Sequence, residues 1–418
     1  MTITRHIPWR RALLLMVLVG SAAGPASAQD WVAQTSGTNE LLNGVWFLDP
    51  ARGFAVGNAG TALATIDGGQ TWSPFVLTAD DLGGVAFRDA TTGLIVGDNG
   101  RIFRTTNGGQ TWVAVASGTA NNLAGVAFGA VGLAYAAGRD GTIVRSTDAG
   151  ANWTLVETGA DRYRSVAAFG QHAWVVGDGG VIRATSDGGA SWFSLASGTA
   201  NDLKDVAFVS EVEGWIVGQN NTVLYTGDGG AGWTPRNAGI GVGIDTVFFG
   251  NPNLGWAGGG PGNIFRTTNG ALTWLAEPTP TVEQLNGMHF TDAFHGWVVG
   301  DNGTVLTRVV PAVTLIVGRD RIEWDAATGN VVYDAVRGDL AALRTTAGDF
   351  SVATEECLAT GAVDTFVDFA TDPPLAGDGF WFLVRVVPAG GTGTYDSGSF
   401  GQSGLRDAEI ASSGVDCP

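Results

Sequence analysis

Lysine is almost missing from this chain. Lys204 stands alone in 418 residues, and Lys and Arg together number 22 against 40 Asp and Glu, a net charge of −18. Nucleic-acid recognition draws its affinity from basic groups set against phosphates. A nucleic-acid partner is therefore excluded, and an anionic membrane surface for the same reason. The acidic surface reads instead as a solubility device. Cysteine is nearly as scarce, with Cys357 and Cys417 the only two. Two thiols so far apart, with no histidine beside them, do not make a metal or catalytic centre. The four histidines, His6, His172, His289 and His295, carry no metal spacing, so neither a metal nor a cofactor is expected. Long apolar runs are absent as well. Residues 12–20 (ALLLMVLVG) are too short to span a membrane, and no later stretch is long and apolar enough for a membrane helix.

That short run has a meaning of its own. Arg5, Arg10 and Arg11 precede it, and Ala26-Ser27-Ala28 follows with small residues at the cleavage positions. Residues 1–28 are predicted to be a signal peptide, with Gln29 the new N-terminus. No cysteine follows the cut, so no lipid anchor is expected. The mature chain is expected to be secreted or periplasmic. Losing the three arginines carries its charge to −21.

What the chain has in plenty is glycine, 65 residues, about twice the usual ~7%. The glycines punctuate apolar, strand-like runs, and many fall in one repeated octet. Thr65-Ile66-Asp67-Gly68-Gly69-Gln70-Thr71-Trp72 recurs at 105–112, 146–153, 185–192, 226–233 and 267–274. The third place is Asp67, Asn107, Asp148, Asp187, Asp228 or Asn269. The last is Trp72, Trp112, Trp153, Trp192, Trp233 or Trp274, spaced 40, 41, 39, 41 and 41 residues apart. A period near 40 with turn residues at fixed offsets marks stacked β-units of the propeller kind. The Asp or Asn is expected to accept from backbone N–H groups two residues on. The glycines are expected to take positive φ, and the flanking hydroxyls to close the loop. The tryptophan should start the next strand and bury its ring between neighbouring units. The octet resembles the Asp-box, or bacterial neuraminidase repeat, Ser/Thr-x-Asp-x-Gly-x-Thr-Trp.

Each repeat holds four strand-like runs. In the second these are Val85–Phe87, Gly93–Gly97, Arg101–Arg104 and Trp112–Val115, with Gly97-Asp98-Asn99-Gly100 a hairpin turn between the second and third. The order recurs around Gly57, Gly97, Gly138, Gly177, Gly218, Gly259 and Gly300, which makes seven repeats but six boxes. Trp31–Thr38 aligns with Trp112–Thr119, and Trp31 lies 41 residues before Trp72. The N-terminal strand is therefore expected to supply the outer strand of the last blade, which closes the ring and leaves no unpaired edge at the seam. The predicted fold is all-β: a seven-bladed β-propeller over residues 29–310, closed by the N-terminal strand. Its Gly-x-x-Gly turns and blade-to-blade loops (117–123, 158–164, 197–203, 238–245) should share one face, and the boxes should lie on the other side, at the rim.

From about residue 311 the repeat stops. Ile322-Glu323-Trp324, Asn330–Gly338 and Gly379–Val387 resemble the buried-Trp strand, the alternating Tyr strand and the late aromatic strand of a fibronectin type III module. A β-sandwich of immunoglobulin or fibronectin III type is expected over 311–418, with Cys357 and Cys417 paired in an oxidising compartment.

The search for catalytic chemistry finds little. A sialidase-like site would need an arginine triad, a Tyr–Glu pair and an acidic Asp, and only Tyr135, Tyr163 and Tyr225 stand in the propeller. Carboxylates such as Asp80, Asp81, Asp98, Asp140, Asp178, Asp202 and Asp301 read as turn and loop residues rather than as a glycosidase pair. His289 falls in an inner-strand run and reads as core or channel lining. Residues 96–112 (VGDNGRIFRTTNGGQTW) and 264–274 (IFRTTNGALTW) resemble the photosystem II stability/assembly factor group, secreted seven-bladed propellers with this repeat. The resemblance covers the whole propeller. It implies a scaffold without catalysis that holds a partner protein during assembly or repair, with a glycan-binding or sialidase-like glycoside hydrolase propeller as the alternative. Arg104, Arg145 and Arg266 match an arginine of the group's pattern and are expected to pair with adjacent acidic loops. Arg162, Tyr163 and Arg164, two cations flanking an aromatic on a blade-to-blade loop, are the candidate partner contact.

Overall fold

The computed structural model describes residues 31–237, 239–292 and 295–309, and beyond them strands at 315–317, 321–324, 331–339, 354–362, 366–368 and 380–388. The expected signal peptide, residues 1–28, lies outside the described residues. So does Cys417, and with it the expected pairing to Cys357.

One compact unit spans Gln29–Val310. It contains seven four-stranded antiparallel sheets. Blade 1 carries Leu42–Phe47, Gly53–Gly57, Ala62–Thr65 and Ser73–Pro74, from the inside outwards. Blade 2 carries Leu82–Phe87, Gly93–Gly97, Ile102–Thr105 and Val113–Val115. Blade 3 has Leu123–Phe128, Ala134–Gly138, Ile143–Ser146 and Thr154–Glu157; blade 4 has Tyr163–Phe169, His172–Gly177, Val181–Thr185 and Phe193–Ala196. Blade 5 has Leu203–Phe208, Gly214–Gly218, Thr222–Thr226 and Thr234–Pro235; blade 6 has Ile244–Phe249, Gly255–Gly259, Asn263–Thr267 and Leu275–Glu277. Blade 7 is made of Leu285–Phe290, His295–Gly300 and Val305–Val309, and its outer strand is Trp31–Gln34. The closure pairs Trp31 with Arg308 and Gln34 with Val305.

The second strands are apolar at nearly every place because both faces of a blade meet a neighbour. Gly93–Gly97 and Gly214–Gly218 are buried throughout. These strands carry an aromatic repeat distinct from the boxes. Trp174 stacks on Phe208 of the next blade at 3.4 Å between centroids, Trp215 on Phe249 at 3.6 Å, Trp256 on Phe290 at 4.0 Å and Trp297 on Phe47 at 3.5 Å. Each stacked Phe also lies over a glycine of its own blade. A Cβ at Gly214 would fall 2.5 Å from the Phe208 ring, so no larger residue fits there.

The boxes close as hydroxyl-and-carboxylate loops. In blade 1, Thr65 Oγ1 donates to Asp67 Oδ1 at 2.8 Å and accepts from the Gly69 N–H at 2.9 Å. The carboxylate reaches four residues forward, not the expected two: Asp67 accepts from the Thr71 N–H at 2.9 Å and the Thr71 hydroxyl at 2.6 Å. The two-residue reach belongs to the Thr65 hydroxyl, which accepts from the Asp67 N–H at 3.3 Å as well as from Gly69. The box also binds its own blade's first hairpin, with Gly68 N–H on Ala51 O at 2.8 Å and Gly229 N–H on Val212 O at 2.9 Å. Boxes and first hairpins thus share one face, the box face. The turns after the second strands meet the blade-to-blade loops on the opposite face, the turn face. There Asp98 N–H donates to Asp81 O at 2.8 Å and Asp178 N–H to Arg162 O at 3.0 Å.

Trp72 and Trp274 are buried, and Trp112 and Trp233 pack half-buried against clusters that span two blades. Across three seams the second-strand indole also donates to the next blade's box: Trp174 Nε1 to Gly229 O at 2.9 Å, Trp215 to Gly270 O at 3.3 Å and Trp297 to Gly68 O at 2.9 Å. Blade 7 has no box, and Trp256 Nε1 is buried with no hydrogen-bond partner among the described residues.

The strands beyond residue 311 form two three-stranded antiparallel sheets. One joins Leu315–Val317, Arg321–Trp324 and Phe366–Asp368; the other joins Thr354–Ala362, Val331–Asp339 and Phe380–Pro388. The connections and side chains on which the expected fibronectin-like sandwich depends lie outside the described residues. Among the described residues no helix is long and apolar enough to cross a membrane.

Candidate protein-binding face

The turn face around the channel mouth is set by the second residue of each inner strand. Taken from blade 1 to blade 7 these are Asn43, Gly83, Ala124, Arg164, Lys204, Asp245 and Asn286. Charge is thus confined to three consecutive blades. Arg164 grips Asp178 of its own blade's turn through two bonds, Nε to Oδ1 at 2.6 Å and an Nη to Oδ2 at 3.1 Å. Lys204 Nζ stands 3.8 Å from Asp202, whose other oxygen accepts the Gly179 N–H at 3.0 Å. Gln284 donates to Asp245. Burial pushes the Asp245 carboxyl above its ordinary range, against the pull of Lys204 and Arg164. Asp98 is likewise pushed up, by burial and then by Asp81, with Arg139 opposing.

Arg162 differs from its neighbours. Its side chain is exposed and makes no ion pair with an acid among the described residues. Partial burial, then the positive charge of Arg164 and Arg139, holds its guanidinium below the ordinary value. The sequence-predicted trio is therefore split. Arg162 and Arg164 reach the face; Tyr163 does not. It is 2% exposed and packs with Leu133, Tyr135 and Val166. Burial, with Glu157 and Asp161 adding, raises its hydroxyl to about 12. The reason is register. Tyr163 occupies the place of Leu42, Leu82, Leu123, Leu203, Ile244 and Leu285, the buried first position of every inner strand, and that alignment was visible in the sequence.

The strand arginines also serve a role other than the one expected. Arg104 Nε donates to the Ala149 carbonyl in the next blade's box at 2.8 Å. The Arg145 side chain passes close to the blade 4 box glycines Gly188 and Gly189. Arg266 lies 2.9 Å from the buried Glu277 of its own blade. They tie strands and blades together rather than pairing with exposed acidic loops. His289 is core: its Nδ1 accepts the Phe47 N–H at 3.3 Å, and burial pushes it down to about 3. Tyr225 Oη meets Glu213 at 3.4 Å with the Arg236 guanidinium 3.4 Å over the ring, but this contact sits beside the blade 5 box, not with Arg162 and Arg164. Among the described residues no cluster of His, Cys, Asp and Glu is placed to hold a metal.

Among the described residues the face, then, offers two exposed guanidinium groups without an ion pair, Arg162 and Arg139, beside the ion-paired Arg164 and Lys204. Such a group gives orientation and association rate to a protein contact. It does not assemble a nucleophile, an acid and a base. The charge pattern was legible only in part. Arg162 and Arg164 stood out, whereas the partner acids Asp178 and Asp202 read as turn residues, and Arg139 was missed because it lies in a different blade's turn.

Comparison with known proteins bears on the fold and the family. A solved structure described as YCF48 bound to D1 peptide shares 23% identity and a TM-score of 0.59, covering 69% of this chain and 100% of that one. YCF48 from Cyanidioschyzon merolae shares 21% with a TM-score of 0.57, covering 68% and 99%. The GH74 enzyme of Niastella koreensis shares 16% with a TM-score of 0.52, covering 65% of this chain and 44% of that enzyme. Likeness at these identities carries the propeller fold alone. No curated protein matches the chain. The family described as photosynthesis system II assembly factor YCF48 matches residues 24–115, 76–158 and 194–278, together just over half of the sequence. The repeat, the closed seven-bladed ring and this match agree, and the chain belongs to the photosynthesis system II assembly factor YCF48 family.

Proposed function

We propose that the propeller is a scaffold without catalysis that holds a partner protein on its turn face, in the manner of a photosystem II assembly factor. The observation that carries the reading is Arg162, exposed and without an acidic partner among the described residues, beside Arg164 at the channel mouth. The family match supports a protein partner, and a solved YCF48 is described as bound to a D1 peptide. The mature chain would work in the periplasm or outside the cell. The support is Arg5, Arg10 and Arg11, the apolar run and Ala26-Ser27-Ala28, and N-terminal sequencing of the exported chain should begin at Gln29.

The test is a titration of fluorescent D1 peptide into the full chain, by anisotropy, with and without the Arg162→Ala/Arg164→Ala pair. The pair should weaken binding by about ten-fold or more, and added salt should weaken the unaltered chain in the same direction. Binding untouched by the pair, or capture of a glycan at the channel mouth in place of the peptide, would overturn the assignment.

A further inference from the structure

Three residues of the turn face break the bonding pattern of their neighbours. In blades 1, 4 and 7 the first residue of the turn after the second strand is bonded to the second residue of its own inner strand. Asn58 Oδ1 accepts from Asn43 at 3.0 Å, Asp178 holds Arg164, and Asp301 Oδ1 accepts from Asn286 at 2.9 Å. In blade 2 the turn residue is Asp98, but the inner strand offers Gly83. A Cβ at Gly83 would fall 2.7 Å from the Ala124 carbonyl oxygen, so no side chain fits there to meet the carboxylate. In blade 3 the turn residue is Arg139, and the inner strand offers Ala124, whose methyl accepts nothing. Asp98 takes a side-chain hydrogen bond from Asn122. Neither Asp98 nor Arg139 makes an ion pair among the described residues.

The residue just before each inner strand follows a pattern too. Asp81 Oδ1 accepts the Ala59 N–H at 2.8 Å, Asn122 Oδ1 the Asn99 N–H at 3.1 Å and Asp202 Oδ1 the Gly179 N–H at 3.0 Å. Each caps the turn of the preceding blade. The residue in that place after blade 3 is Arg162, and a guanidinium has no acceptor to offer. It stands exposed instead. Backbone bonds hold the three groups beside one another. Asn122 holds the blade 2 turn through its side chain and accepts the Arg139 N–H through its carbonyl at 2.9 Å. The Gly141 N–H donates to Asp161 O at 2.6 Å, which ties the Arg139 turn to the loop bearing Arg162. An acid and two cations thus follow one another from blade 2 to the edge of blade 4.

We propose that this row reads the order of charges along the bound partner: an extended segment lies across it with a lysine or arginine on Asp98 and acidic residues on Arg139 and Arg162. Complementary charges of this kind set orientation and reject wrong partners. The inference rests on the protein-binding reading and adds to it the charge pattern of the segment.

The probes are capped pentapeptides, titrated against the full chain at low salt by ligand-observed NMR. Lys-Gly-Glu-Gly-Glu should bind saturably and about three-fold more tightly than Ala-Gly-Glu-Gly-Glu, the effect of one exposed charge pair. Glu-Gly-Lys-Gly-Glu should lose that gain, because it cannot seat its lysine on Asp98 without taking a glutamate off the arginines. Asp98→Asn should erase the gain from lysine. Arg139→Ala should weaken both the lysine and the alanine peptide about three-fold and leave their ratio unchanged. No saturable binding, a lysine gain that survives Asp98→Asn, or binding indifferent to Arg139→Ala would overturn the proposal. The protein-binding reading has its own failure, a partner-peptide titration indifferent to the Arg162→Ala/Arg164→Ala pair, and the pentapeptide results do not decide it.

Discussion

Two kinds of seam in this ring invite comparison. At the seams after blades 4, 5 and 7, a buried tryptophan stacks on the next blade's phenylalanine and donates its indole N–H to the next box. The seam after blade 6 keeps the stack, Trp256 on Phe290, but meets a blade without a box. There the N-terminal strand makes the join by other means. Trp31 Nε1 donates to Glu277 Oε2 at 2.9 Å, and the same carboxylate lies 2.9 Å from Arg266 and 3.6 Å from Arg308. Glu277 and Arg308 are each 5% exposed as side chains. On the far side Gln34 reaches the Gly68 carbonyl of blade 1 at 2.9 Å. An indole–box bond needs a box in the next blade, and blade 7 has none. Where the first and last strands of the propeller meet, a buried charge cluster takes over, and its worth depends on every member being present.

The largest test of that contrast is Glu277→Ala. It leaves two buried guanidinium groups without their shared carboxylate and Trp31 without an acceptor. A loss of about 3 to 5 kcal/mol is expected, read by urea unfolding. The substitution should also loosen the closing strand, seen as faster amide exchange at Val32 and Gln34. A loss under about 1 kcal/mol, the value of a surface pair, would mean that the cluster does not latch the ring.

A sharper comparison removes one indole at a time. Trp215→Phe and Trp256→Phe lose similar ring area, but only Trp215 gives up a made hydrogen bond. Trp215→Phe should cost about 1 kcal/mol more. Loss of the Arg308 stack over Trp256, 5.4 Å to the centroid, works against that difference. Equal costs would show that the indole–box bond adds no more to a seam than the Arg308 stack does.

The smallest effect lies within the boxes themselves. Hydrogen bonds from Thr71 hold Asp67, and those from Asn152 hold Asp148, at about 2, below the usual 3.8. A carboxyl depressed in the folded state adds stability above the unfolded value, and that stability is lost as pH falls through the folded one. Between about pH 4 and pH 2 the Thr71 and Asn152 amides should therefore lose exchange protection. The boxes of blades 2 and 6 hold Asn107 and Asn269 with the same amide bonds, to Thr111 and Thr273 at 3.0 Å each, and do not titrate. Their amides should stay protected. Simultaneous loss at all four would assign the acid response to global unfolding.

Much of this architecture was readable from residue order. Period and turn chemistry are local, so the octets announced the blades, and the missing seventh octet with its echo at Trp31 announced the closure. The second-strand Trp174, Trp215, Trp256 and Trp297 keep the same period, yet their partners are phenylalanines in the next blade, 34 residues on for the first three and back at Phe47 for Trp297, and no local rule marks them. Tyr163 shows the cost of reading a triplet without its register: beside two arginines it resembles a contact, but aligned with Leu123 and Leu203 it is core. Arg104, Arg145 and Arg266 look alike in sequence, and packing sends one to a carbonyl, one past a neighbouring box and one to a buried acid.

From the sequence alone came the all-β class, the blade number, the strand that closes the ring and the face that each loop set occupies. All of these follow from short-range periodicity and turn preference. Only the tertiary structure decided which charges are neutralised, which aromatics are buried and what holds the seam without a box. Those outcomes depend on partners far apart along the chain, as Trp31 and Glu277 are, 246 residues from each other. Distance and burial, not residue type, determine whether such a pair forms, and neither exists until the ring has closed.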